Sequence, residues 1–276
     1  MRIFLAGGTG VIGRGLVPAL VAAGHDVVAM TRREDRLERL AELGARGVVA
    51  DAYDADRLTE VMRQAMPDVV LHELTDLGEA DLEANARLRR VGTANLVAAA
   101  EAASVERIVV ESISWVYAAG EGPAVETEAL EPGTAVEEME LLARRLPHAT
   151  VLRYGLLYGP GTWYAPGARM AEAVAAGEVA ATPSVSSFVH IDDAVSATVQ
   201  ALEWPDGPYN IVDDEPAAAN EWLPAFAAAV GARAPEPTAL SPGAVAGRGA
   251  SNAKARSRGW EPRWASWREG FQHLAE

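Results

Sequence analysis

The sequence contains no cysteine and only one lysine, Lys254. The first absence excludes disulfides, thiolate zinc sites, iron–sulfur clusters and thiol nucleophiles together, and it points to a reducing, cytoplasmic compartment. The second leaves arginine to carry nearly all the positive charge. Long apolar runs are also missing. The opening residues Met1-Arg2-Ile3-Phe4-Leu5-Ala6 meet glycines at once, so neither a signal peptide nor a spanning helix is expected. Twenty-four basic residues face 39 acidic ones, giving a formal charge of −15. Such an excess repels phosphate backbones and anionic lipid, and no basic patch offsets it, so neither nucleic acid nor membrane is an expected partner. An anionic ligand must be held by local groups.

What is present is ordinary globular material. With 276 residues, 49% hydrophobic and 23% charged, the chain is long enough to bury a real core and too apolar to be disordered. Short apolar, β-rich runs at residues 3–6, 27–30, 48–50, 69–71 and 107–112 are each followed by a helical stretch, and residues 150–154 read as a sixth strand. That alternation predicts an α/β fold, a doubly wound parallel sheet with helices on both faces. From Tyr158-Gly159-Pro160-Gly161 onward prolines and glycines become dense. The expected division is a cofactor domain over 1–157, able to take back later segments, and a small substrate lobe over 158–276.

Between the first strand and the first helix stands Gly7-Gly8-Thr9-Gly10-Val11-Ile12-Gly13. Glycines there permit a tight turn, let backbone N–H groups approach a diphosphate at the positive end of the helix, and allow close helix-to-strand packing. The context, strand before and helix after, makes dinucleotide binding the expectation, with Gly7, Thr9, Gly10, Val11, Ile12 and Gly13 as its residues. The second strand ends in Thr31-Arg32-Arg33 where a carboxylate would grip the ribose of NAD. Guanidinium groups can pair with a 2′-phosphate instead, so Arg32 and Arg33 predict NADP(H). Read blandly, they are solvated charges before the next helix. Asp51, after the third strand, either accepts from the adenine amino group or simply begins the next turn.

Several segments, taken with the glycine turn, resemble the extended or atypical short-chain dehydrogenase/reductases, the NAD(P)-dependent epimerase/dehydratase group. They are Gly92-Thr93-Ala94-Asn95-Leu96, the run Val110-Glu111-Ser112-Ile113-Ser114-Trp115-Val116-Tyr117, and Leu152-Arg153-Tyr154-Gly155-Leu156-Leu157-Tyr158-Gly159-Pro160-Gly161. Phe188-Val189-His190-Ile191-Asp192-Asp193-Ala194 and Tyr209-Asn210-Ile211 follow. The resemblance implies a Rossmann-like cofactor domain, with Leu74 bordering the cofactor and Tyr154 passing near the nicotinamide. It also implies a Tyr-x-x-x-Lys pair supplying acid and orienting the ribose, and this chain has none. No tyrosine has a lysine four positions on, and Pro132 and Val136 stand where the pair belongs. Ile113 takes the usual serine position, and Arg89 stands where many members carry asparagine.

Positioning and electrostatics supply much of an enzyme's acceleration, so hydride transfer survives the loss of an acid more easily than epimerisation or dehydration does. The reading is an NADPH-dependent ketoreductase acting on a small, aromatic or polyketide-like carbonyl compound, as monomer or homodimer, with the proton from Ser112, Ser114, Tyr158, water or the substrate. A nucleotide-sugar epimerase or dehydratase and a non-catalytic NADP(H)-binding sensor are the alternatives. No metal is expected, because adjacent residues in His190-x-Asp192-Asp193 point in different directions and Asp192 is placed to cap the following helix.

Overall fold

The computed structural model describes residues 1–77 and 80–274 and divides into two compact units. The first is made from Met1–Ser112, Pro132–Leu152 and Thr198–Pro208; the second from Ile113–Glu131, Arg153–Ala197 and the chain from Tyr209 onward. Three stretches go to each, so the units are interleaved along the chain.

In chain order the strands are β1 (Arg2–Ala6), β2 (Asp26–Thr31), β3 (Arg46–Val49), β4 (Val69–His72), β5 (Arg107–Ile113), β6 (His148–Tyr154), β7 (Leu156–Tyr158), β8 (Val185–Ser186), β9 (Phe188–His190), β10 (Gly207–Ile211) and β11 (Ala217–Ala218). Seven of them form a sheet in the order β10-β6-β5-β4-β1-β2-β3. Strand β1 runs parallel to both β2 and β4, β2 to β3, and β4 to β5. The order reverses between β1 and β4, which in a Rossmann-like sheet opens a ligand crevice beyond the carboxyl ends of the strands.

The first unit explains its own sheet. Ile3, Phe4, Leu5 and Ala6 are buried in succession, as are Val69, Val70 and Leu71. Strands apolar on both faces require helices on both, and parallel connections supply them. Those helices are α1 (Val11–Ala22), α2 (Leu37–Glu42), α3 (Ala55–Ala65), α4 (Leu82–Arg87), α5 (Thr93–Ala102) and α6 (Ala135–Ala143). In α3 the buried residues Leu58, Val61, Met62 and Ala65 fall on one stripe, and the Asp54 carboxylate caps its start by accepting from the Arg57 amide at 2.9 Å. Between α4 and α5, Leu88–Gly92 forms a π-helical turn. Close packing fixes the glycine there, since a Cβ on Gly92 would lie 2.6 Å from Leu88 Cδ1.

The second unit is built on aromatic rings. Phe188 lies edge-on to Trp222 at 5.1 Å and to Phe271 at 5.3 Å, in a core completed by Tyr158, Tyr164, Phe226 and Trp267. The unit also holds α7 (Arg169–Ala175), the first part of α8 (Ile191–Ala201), α9 (Ala219–Ala229), α10 (Ala253–Arg256) and α11 (Trp267–Gln272), with small ladders β7-β9 and β8-β11. Two buried carboxylates hold the late segment: Asp193 accepts from the amides of Arg263 and Trp264 at 2.7 and 3.0 Å, and Asp213 from that of Trp267 at 2.8 Å. Asp192 does not stand outside its helix as a cap. It lies within the first turn of α8, and its amide donates to His190 Nδ1 at 3.2 Å.

Candidate cofactor site

The glycine turn is shaped by its neighbours. Gly7 has φ of +102°, and a Cβ there would stand 2.3 Å from the Glu73 carbonyl oxygen; a Cβ on Gly13 would stand 2.1 Å from the Gly7 oxygen. Both positions therefore exclude any side chain. The Gly10 amide donates to the Gly7 carbonyl at 2.9 Å, and α1 begins at Val11 with no side chain capping it. Its first amides remain available to an anion at the positive end of the helix dipole. Thr9 is half-buried, Gly10 and Val11 are exposed, and Ile12 packs beneath.

The strands that follow bring the other expected residues of this unit to the same edge of the sheet. At the end of β2, Thr31 is buried and its Oγ1 accepts from the Arg33 amide at 3.2 Å. The Arg33 guanidinium is exposed and forks onto Asp35 at 2.9 and 2.5 Å, while Arg32 Nη2 lies 3.8 Å from Asp76. After β3, Asp51 Oδ1 accepts from the Tyr53 amide at 2.9 Å, the bond of a local turn. After β4, the Leu74 amide donates to His72 Nδ1 at 3.3 Å. The first unit thus gathers a diphosphate cradle and two guanidinium groups along the carboxyl ends of β1 to β4. The donor set and the side-chain-free turn fit a dinucleotide.

The three expected proton donors fare differently. Ser112 is fully buried and its Oγ donates to Glu140 Oε1 at 2.7 Å, within the first unit. Ser114, in the second unit, is buried and its amide donates to the Tyr154 carbonyl at 2.9 Å, beside a cavity lined also by Trp115 and Tyr117. Tyr158 is enclosed in the aromatic core, its hydroxyl meeting no hydrogen-bond partner among the described residues, and burial pushes its ionisation upward. A Cβ on Gly270 would lie 2.1 Å from that oxygen. This enclosure removes Tyr158 from the candidate proton donors. Val136, at the place of the lysine, is buried in α6, and Lys254 lies 4.2 Å from the centre of the Tyr209 ring.

Two charged groups of the first unit stand out to which the sequence alone assigns no role. Arg89 is 9% exposed and Glu111 is 6% exposed. Burial raises the Glu111 carboxyl to about 7, against the pull of the Arg89 cation. Burial and the same cation lower His72 to about 4, and His72 Nε2 lies 2.7 Å from Thr93 Oγ1. The available signals were an acid inside an apolar strand and an arginine at the family's asparagine position.

Residues 3–212 match the NAD dependent epimerase/dehydratase family. The chain belongs to that family. It is 42% identical to a 3-diazoavenalumate denitrifying reductase of a Streptomyces species, in a match covering 98% of this chain and 99% of the other. It is 37% identical to 4-hydroxy-2-methyl-3-oxo-4-farnesyl-3,4-dihydroquinoline-1-oxide ketoreductase of Stigmatella aurantiaca, over 44% of this chain and 36% of that one. In fold it is similar to the UDP-glucose 4-epimerase of Thermus thermophilus in complex with NAD, with a TM-score of 0.80 at 24% identity, covering 100% of this chain and 99% of that one. These relatives place the chain among oxidoreductases of an NAD(P)-dependent family.

Proposed function

We propose that the protein is an NADPH-dependent reductase that gives hydride to an electron-poor group on an aromatic acid, the first candidate being a diazo group. The observation that carries this reading is the near full-length likeness to a denitrifying reductase. The missing acid supports it chemically. A ketone that takes hydride becomes an alkoxide and must be protonated, whereas an aryl diazonium ion plus one hydride balances to an arene and dinitrogen, with no proton consumed. A chain without the Tyr-x-x-x-Lys pair suits the second balance.

When bound, the reduced nicotinamide supplies the hydride. The residues of the first unit that would hold the dinucleotide are Gly7, Thr9, Gly10, Val11, Ile12 and Gly13 at the diphosphate, Arg32 and Arg33 at the 2′-phosphate, Asp51 at the adenine, and Leu74 toward the nicotinamide. Local donors matter because a net charge of −15 repels the cofactor at long range.

Ketone reduction is the second reading, favoured by the partial likeness to a ketoreductase. There the alkoxide takes its proton from water or from an acidic hydroxyl on the substrate. One experiment separates the two: incubate the protein with NADPH carrying deuterium at the transferred position, offering an aryl diazo acid and an aryl ketone. Deuterium on a ring carbon with release of dinitrogen supports the first reading, and deuterium on a carbinol carbon supports the second. No oxidation of NADPH with either class would overturn both.

A further inference from the structure

Arg89 is a cation taken largely out of water with one of its donors unmet among the described residues. It lies in the π-helical turn Leu88–Gly92, 9% exposed, and its Nε meets no hydrogen-bond acceptor among the described residues. Burying a guanidinium and leaving a donor unmet both cost free energy, and π-turns occur frequently at functional sites. Its place in the first unit can be read from its neighbours. One turn further along, Thr93 Oγ1 lies 2.7 Å from His72, the last residue of β4. The Arg89 charge is felt both by His72 and by Glu111 near the end of β5. Arg89 therefore stands at the carboxyl edge of β4 and β5. Along that edge the Glu73 carbonyl abuts Gly7 of the glycine turn.

A dinucleotide lying across the point where strand order reverses puts one half on each side of it. Arg32 and Arg33 follow β2, on the β1-β2-β3 side; Arg89 is on the β4-β5 side. Helix α6, which carries Val136 where the resembled family has its ribose-orienting lysine, packs against the π-turn, with Arg90 Nε 2.9 Å from Glu138 Oε2. We propose that Arg89, reaching in from the facing helix, holds acceptor oxygens on the nicotinamide half of the dinucleotide in place of the absent lysine. The inference rests on the cofactor reading above.

Calorimetry tests it with two ligands, NADPH and adenosine 2′,5′-bisphosphate, the latter carrying only the adenine half. Wild type should bind both. Arg89→Gln should weaken NADPH by about tenfold or more, the worth of one charge-assisted hydrogen bond, and leave the bisphosphate unchanged. Arg89→Lys, which keeps the charge and loses the fork, should show the same split at about threefold or more and serves if the glutamine variant does not fold. NADPH affinity within about twofold of wild type in a folded variant would overturn the proposal, as would an equal loss for both ligands, which marks a structural lesion. Wild type that binds neither ligand would overturn the cofactor reading itself.

Discussion

Replacing Gly13 by alanine should damage both stability and cofactor binding, through one contact. The added methyl would lie 2.1 Å from the Gly7 carbonyl oxygen and 2.8 Å from the carbonyl carbon and Cα of Gly8. All three neighbours are backbone atoms, so no side chain can swing aside, and the turn itself must open by nearly an ångström. Overpacking of this kind costs about 1–3 kcal/mol. At about 2–4 °C per kcal/mol for a chain of this size, the apparent Tm should fall by roughly 2–12 °C. The same opening displaces the carbonyl that accepts from the Gly10 amide at 2.9 Å and spoils the aim of the amides behind it. Thermal melts with and without NADPH read both effects. For wild type, ligand at a hundred times its Kd stabilises by about 2.7 kcal/mol; in Gly13→Ala most of that shift should vanish. Gly24→Ala is the control: its φ is +82° but nothing among the described residues lies within 4 Å, so it should lose some stability through strain and keep the whole ligand-induced shift. A Gly13→Ala protein with wild-type Tm and wild-type ligand shift would refute the reasoning.

Three other substitutions probe different parts of the molecule. Removing both Arg32 and Arg33 as alanines should weaken NADPH by about tenfold, discounted for their exposure, and leave NADH within about twofold; titrations that show equal losses for the two would defeat the 2′-phosphate assignment. Glu111 is held near 7 in the folded protein by burial, well above its value in an unfolded chain. The native state therefore binds the extra proton, and the carboxyl's contribution to stability is full below about 4.5 and is lost as pH rises through about 7. Glu111→Gln, neutral throughout, should gain Tm relative to wild type on going from pH 5 to pH 8, and a difference that does not change with pH would count against it. Tyr158→Phe deletes a hydroxyl with no partner among the described residues, so it should be neutral to slightly stabilising and leave turnover unchanged; a large loss of activity would return Tyr158 to the reaction.

How much of this was legible in the chain depended on whether the signal was local. The run at residues 3–6 and the glycines after it specify a strand, a turn and a helix within 20 residues, and β1 and α1 lie there within a residue or two. The strand runs at 27–30, 69–71 and 107–112 were equally plain, because strands buried on both faces read as unbroken apolar stretches. Tyr158 was not legible. It ends β7 at the mouth of a Gly-Pro-Gly turn, which suggests exposure, yet Phe188 and Phe271, 30 and 113 residues later, close around it. Arg89 was hidden for a related reason: a charged helical residue reads as solvated until the π-turn and the neighbouring helices show where it is turned. Asp193 shared a motif with Asp192, and only the late loop carrying Arg263 and Trp264 reveals that it is a backbone acceptor.

The interleaving of the two units bears on how such a protein can diversify. Six stretches meet at five junctions, the first after Ser112 and the last after Pro208. One recombination event between related genes cannot exchange either body intact, and transplanting the second alone would require every junction to be spliced. New specificities in this architecture must therefore arise residue by residue, or by lengthening loops in place, while the scaffold is inherited whole.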